Sequence, residues 1–160
     1  MLDTFQGLPV HALIVHATVV IVPLAALLVA LAAVHPGFRG WIGWLAPATA
    51  VASVVLVQLT AMSGRQFYDR LKRVGAISPD IQHHKNLAGV LIWFVIALAV
   101  VAVAGYLLHR KEGVSRLVLG VVTVLAVASA GAVAVDVALI GHAGAKASWK
   151  SIVDGTNQAR

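Results

Sequence analysis

Four apolar segments, each long enough to cross a lipid bilayer, take up most of the 160 residues of this chain. They cover residues 9–34, 41–62, 87–108 and 117–141, and a helix needs about 20 apolar residues to cross the hydrocarbon. None of them alternates with the period of two that is typical of a barrel strand, and backbone in lipid must satisfy its own hydrogen bonds. The sequence therefore predicts an all-α fold, with one transmembrane domain over residues 1–160 that forms an integral membrane four-helix up-down bundle.

Charge is scarce in this sequence, and its placement suits a membrane protein. Only 11% of the residues are charged, whereas soluble domains average about 25%. The net charge is +6, but the basic residues stand in short stretches between the apolar segments, where they orient a membrane protein and meet anionic head groups. We therefore expect a lipid bilayer as partner and no nucleic acid. The chain has no cysteine, which excludes disulfides, thiolate metal sites and iron–sulfur clusters held by this chain.

The basic residues also predict an orientation. With four spans, the N-terminus, the 63–86 loop and the C-terminal tail share one side, which we call side A. The positive-inside rule places the side with more Lys and Arg in the cytoplasm. The sequence thus predicts a multi-pass protein of the bacterial inner membrane with both termini cytoplasmic. Side A carries Arg65, Arg70, Lys72, Arg73, Lys85, Lys146, Lys150 and Arg160, and the opposite side, side B, carries Arg39, Arg110, Lys111 and Arg116.

Two local patterns predict details of the helices. Ser78-Pro79-Asp80 resembles an N-cap followed by the first helical positions, so the third helix is expected to begin near residue 79, before its apolar part. In the fourth span, alanines recur at every fourth residue and predict a ridge for close helix packing. No internal repeat is apparent. The alanines of the ridge are Ala126, Ala130, Ala134 and Ala138.

Histidines are concentrated at one membrane face. Of the seven histidines, five lie at the side A ends of three predicted helices, and His35 and His109 lie at side B. Other polar residues gather at the same end, and ionisable residues inside a membrane usually face the bundle interior or a cavity. The side A histidines are His11, His16, His83, His84 and His142, and their polar neighbours are Gln58 and Arg65 of the second span and Asp136 of the fourth.

Neutral imidazole is the commonest protein ligand for metals, and haem b in membrane bundles is typically held by two of them. His11 and His16 are five residues apart, or about 140° around a helix, so they would face different partners. Helices one and three are diagonal neighbours in an up-down bundle, and a ligand from each could hold one macrocycle. We predict His16 and His84 as haem ligands or, alternatively, as ligands of a metal ion, with His11 and His142 as a second pair or as supporting residues.

Carboxylates would complete this predicted site. Asp80 lies four residues before His84 on the same helix face and could accept its second imidazole N–H. Asp136 and His16 lie at similar depths and are expected to share a polar pocket, in which Asp136, with Gln58 and Arg65, orients an imidazole or relays protons.

Short motifs occur in order along nearly the whole chain, at Leu8-Pro9-Val10-His11-Ala12-Leu13-Ile14-Val15-His16-Ala17, Ser63-Gly64, His84-Lys85-Asn86-Leu87-Ala88 and Gly141-His142-Ala143-Gly144-Ala145. These motifs resemble a bacterial family of small membrane proteins, the domain of unknown function 2231 family. Its members open with a motif of the type Leu/Pro-x-His-Pro-x-x-Val-His-Phe-Pro, and here Ala12 and Ala17 replace expected residues. The resemblance implies a four-helix, b-type cytochrome-like protein with an iron–sulfur protein as redox partner.

Together these features predict a membrane redox subunit that binds haem b, or a metal ion, and transfers electrons between a partner protein and quinone. It would act as an oligomer or as a subunit of a larger membrane complex, and as an electron-transfer or accessory subunit rather than a stand-alone enzyme. Two alternatives remain open: ion or proton transport by an oligomer, and a structural accessory subunit without cofactor.

Overall fold

The computed structural model describes residues 4–158 and is almost entirely helical. A short antiparallel hairpin pairs β1 (Thr4–Phe5) with β2 (Leu8–Pro9), and positive φ angles at Gln6 and Gly7 form its tight turn. Helices follow at α1 (Val10–Val34), α2 (Pro36–Ile42), α3 (Leu45–Arg73), α4 (Pro79–Ala88), α5 (Leu91–Arg110) and α6 (Arg116–Gln158). The predicted all-α membrane bundle is confirmed.

Within residues 4–158, four helical stretches are long and apolar enough to cross a membrane: α1, α3, α4 with α5, and α6. α1 and α5 each pack on α3 and α6 and touch each other little, so they are diagonal neighbours, as an up-down bundle requires. α4 packs mainly on α6. Large apolar side chains such as Val20, Val124 and Leu117 are exposed on the outside of the bundle, where a lipid-facing surface would carry them.

The third span begins as the sequence predicts. Ser78 has extended backbone, and its side chain accepts a hydrogen bond from the Ile81 N–H, so it caps α4 at Pro79. Such a cap stabilises a helix by about 1 kcal/mol. α4 then places His84 on the side A surface of the bundle before the apolar part of the span starts.

The prediction of a packed alanine ridge in the fourth span is only partly confirmed. Ala126 and Ala130 are buried, whereas Ala134 and Ala138 are exposed. A spacing of four drifts by about 40° per step around a helix with 3.6 residues per turn. The buried face therefore continues through Val133 and Ala143 instead.

An internal repeat, which the sequence did not reveal, appears in the burial pattern. The five most deeply buried residues of α1 each correspond to a buried residue of α5 that lies 73 positions later in the chain. Four of the five buried residues of α3 likewise correspond to buried residues of α6, 80 positions later. Both halves run in the same direction, so they are related by a pseudo-twofold axis along the bundle. The matched positions are Thr18, Val22, Ala25, Ala26 and Val29 with Leu91, Val95, Leu98, Ala99 and Ala102, and Ala46, Ala50, Ser53 and Ser63 with Ala126, Ala130, Val133 and Ala143.

Sequence identity supports this repeat in one pair of helices. Eight of the nineteen residues of 46–64 are identical to those of 126–144, and they are Ala46, Ala48, Ala50, Ala52, Val55, Val57, Leu59 and Gly64. In the other pair, residues 11–29 share only His11, Val22 and Ala26 with residues 84–102. The histidine is thus one of three residues common to both halves in this pair.

Candidate functional site

His11 stands in the first turn of α1 and its ring lies against α3. Its Nδ1 is 3.2 Å from the carbonyl oxygen of Thr60 and 3.4 Å from the hydroxyl of Ser63. The ring needs the absence of a side chain at Gly64, because a Cβ there would lie 3.0 Å from the Cε1 of His11. Phe67, one turn further along α3, stacks on the same imidazole with ring centroids 6.3 Å apart.

His84 makes the equivalent contacts in the second half of the chain. Its Nδ1 is 3.1 Å from the carbonyl oxygen of Ile140, and a Cβ at Gly144 would lie 3.1 Å from its Cε1. In both halves the carbonyl belongs to the residue four positions before the glycine. The two imidazoles are therefore held by one recurring arrangement, which we call the histidine–glycine motif.

This arrangement determines the tautomer of each ring. A carbonyl oxygen can only accept a hydrogen bond, so the Nδ1 of each imidazole must carry the hydrogen. The Nε2 of a neutral ring then keeps its lone pair, which is the form that ligates a metal. Their helices, α1 and α4, belong to the two diagonal spans.

His16, predicted as a ligand together with His84, is exposed on the outer face of α1. Its Nδ1 contacts the carbonyl of Ala12 in its own helix. The inward face of α1 passes through Thr18 and Val22, and His11 lies two turns before Thr18 on that face. His11, and not His16, thus makes contacts inside the bundle that match those of His84, and the predicted pairing of His16 with His84 is not formed.

His142 is also exposed. α6 presents Ile140, Ala143 and Gly144 to its neighbours, and His142 points away from that face because of its helical phase. The fourth span contributes a carbonyl oxygen and a glycine to the motif.

Asp136 is buried, with 8% of its surface exposed, so the prediction that it faces the interior is confirmed. Its Oδ2 has no hydrogen-bond partner among the described residues. The prediction that it shares a pocket with His16 is wrong, because His16 lies on the outer surface. Asp136 is one helical turn deeper than Ile140, whose carbonyl accepts from His84.

The other predicted supporting residues do not contact the two imidazoles. Asp80 forms an ion pair with Lys146, with 3.3 Å between Nζ and Oδ1. The Ile140 carbonyl, and not Asp80 as predicted, accepts the hydrogen bond from the imidazole of His84. Gln58 and Arg65 are exposed. Asp80 instead ties α4 to α6, so it positions His84 through the backbone.

Sequence reasoning missed the backbone acceptors at Thr60 and Ile140 and undervalued the glycines. Ser63-Gly64 and Gly144 belong to the motifs that resemble the family, and in the structure they lie against His11 and His84. Within residues 4–158, no three His, Asp or Glu side chains are grouped as a metal site. The described part of the chain thus offers two imidazoles and no larger ligand set.

Comparison with known proteins gives one match. The model of a family described as "Predicted membrane protein (DUF2231)" matches residues 7–157. No curated protein and no solved structure matches the chain. The match covers both histidine–glycine motifs and all four spans.

Proposed function

We propose that this chain, which belongs to the DUF2231 family of predicted membrane proteins, is a redox subunit that holds haem b between His11 and His84. The observation that supports this most is the histidine–glycine motif, which presents from each of two diagonal spans an imidazole whose Nδ1–H donates to a backbone carbonyl. Two neutral imidazoles are the donor set of b-type haem in helical membrane proteins. The donors therefore fit this cofactor better than a bare metal ion, which usually takes more protein ligands.

The chain's own residues have defined tasks in this proposal. The Thr60 and Ile140 carbonyls orient the rings and raise the basicity of each Nε2. Gly64 and Gly144 let the rings lie close to the helix backbones, and the apolar bundle excludes water. Haem, when bound, supplies a one-electron carrier. Electrons pass between a partner protein, an iron–sulfur protein by family resemblance, and quinone in the bilayer.

Optical absorption of the purified protein tests this function. Protein prepared from native membranes in mild detergent should show a Soret band that shifts on reduction with dithionite, with about one haem per chain. Elemental analysis of the same sample should find iron at the same ratio. A folded, colourless protein without iron, even after incubation with haemin, would contradict the proposal.

Ion or proton transport by an oligomer is the second candidate, and Asp136 favours it. A buried carboxylate with an oxygen that has no hydrogen-bond partner in the described part of the chain is a group that could exchange protons. Transport requires no chromophore, so the same absorption measurement separates the two functions. In the redox function, Asp136 lies one turn from the His84 acceptor and would carry protons near the haem.

Orientation completes the proposal: the chain lies in the bacterial inner membrane with both termini, and hence both histidine–glycine motifs, at the cytoplasmic face. Eight of the twelve basic residues lie on side A, which is the basis for this prediction. Alkaline phosphatase fused at the C-terminus should be inactive, and the same enzyme inserted in the 111–115 loop should be active. The opposite pair of signals would place the histidines outside the cytoplasm.

A further inference from the structure

A cavity of about 580 Å³ lies at side B, at the end of the bundle opposite the two histidines. Its volume is within the range of ligand pockets, roughly 300–1,000 Å³. The pseudo-twofold axis passes through it, since Val29, Ala32 and Ala46 line it together with their equivalents Ala102, Gly105 and Ala126. Small residues at these positions keep the ends of the helices from filling the space.

The wall of the cavity changes from apolar to cationic along the bundle. Its inner part is formed by Val29, Ala102 and Ala126, which are buried in the core. Its mouth carries Arg39 from α2 and Arg110 from α5. Among the residues that the structure describes, no Asp or Glu lines it, so the two guanidinium groups meet no carboxylate from that part of the chain.

The two arginines differ in how they are held. Arg110 lies over the ring of Tyr106 and donates to its hydroxyl, which fixes the guanidinium beside the cavity. The side chain of Arg39 makes no hydrogen bond or ion pair within residues 4–158, and the residue is half-buried. A half-buried, unpaired guanidinium is costly unless an anion satisfies it.

We propose that this cavity binds one anionic phospholipid, with the phosphate between Arg39 and Arg110 and an acyl chain against the apolar inner wall. The position supports a lipid over a free anion, because the mouth lies where the helices end, at the level of the head groups, and the inner wall offers only apolar contact. The charge supports an anionic lipid over a neutral one.

Native mass spectrometry of the purified full chain can test this site. The protein in detergent is titrated with phosphatidylglycerol and with phosphatidylcholine of the same acyl chains. One phosphatidylglycerol should bind with higher affinity than further lipids and than phosphatidylcholine. Replacement of both arginines, Arg39→Gln with Arg110→Gln, should weaken the first binding step roughly 30-fold, given the contribution of each cation near an anionic head group.

Lys111→Gln is the matched control, because it removes a positive charge beside Arg110 from a side chain that does not line the cavity. It should leave the first binding step unchanged. Ala32→Leu fills the cavity without altering charge and should weaken binding even if the double arginine variant does not fold. Equal binding of the two lipids, equal effects of the lysine and arginine changes, or displacement of phosphatidylglycerol by millimolar inorganic phosphate would each overturn the proposal.

Discussion

Replacing His11 by alanine should remove most of the haem absorbance from the purified protein, whereas replacing His16 should leave it intact. Both residues lie in the first turns of α1, but only the His11 ring reaches α3, whereas His16 contacts the backbone of its own helix. Loss of a partner that merely orients a metal ligand costs about 10–100-fold in affinity, and loss of the ligand itself should cost more. The measurement is the Soret absorbance per protein after equal exposure to haemin.

His84→Ala should have the same effect as His11→Ala, because the two motifs are equivalent. His142→Ala, on the exposed face of α6, serves as a second control beside His16→Ala. A loss of absorbance with His16→Ala, or its retention in the His11 and His84 variants, would assign the ligands differently. Thermal unfolding of each variant, followed by circular dichroism, separates loss of the ligand from loss of the fold.

Leucine at Gly64 should destabilise the protein strongly, independently of any cofactor. A Cβ at this position already lies 3.0 Å from the His11 ring, so a longer side chain must displace the imidazole or separate α1 from α3. Overpacking of this kind costs about 1–3 kcal/mol. Gly144→Leu should have the same effect on His84, since a Cβ at Gly144 would lie 3.1 Å from the His84 Cε1.

Gly131→Leu is the matched control for both substitutions. Gly131 is exposed on α6, and a Cβ there would meet nothing within 4 Å. Its leucine would face lipid and would favour the helix, so stability should stay equal or rise. The comparison uses the free energy of unfolding in mixed micelles. Equal stability of the three variants would mean that the imidazoles do not pack on the glycines.

The spans and the cap at Ser78 could be predicted from the sequence because both depend on local patterns. Twenty apolar residues in a row have few alternatives to a membrane helix, and a serine before proline is a frequent helix start. Asp136 was likewise predicted to face inward, since a carboxylate in lipid is costly.

The choice between His11 and His16 depended on the rotation of α1, which an almost uniformly apolar helix does not reveal. His16 was preferred for its depth, but depth does not determine the face. The phase is visible in Thr18, the one hydroxyl residue of α1, which is buried and contacts the Thr60 hydroxyl at 2.7 Å. Counting back two turns from Thr18 leads to His11. The carbonyl acceptors have no sequence signature, so they could not be found before the fold.

The pseudo-twofold axis has a consequence for ancestry. Two identical two-helix subunits around such an axis would each contribute one histidine and one glycine to a shared centre. When the two are joined in one polypeptide, each half can acquire substitutions that the other lacks, as Ser63 and its equivalent Ala143 illustrate. Asp136 corresponds to Leu56, so residues 4–158 contain one interior carboxylate where a homodimer would need two or none. Duplication and fusion thus permit a single acidic group that a symmetric dimer could not hold.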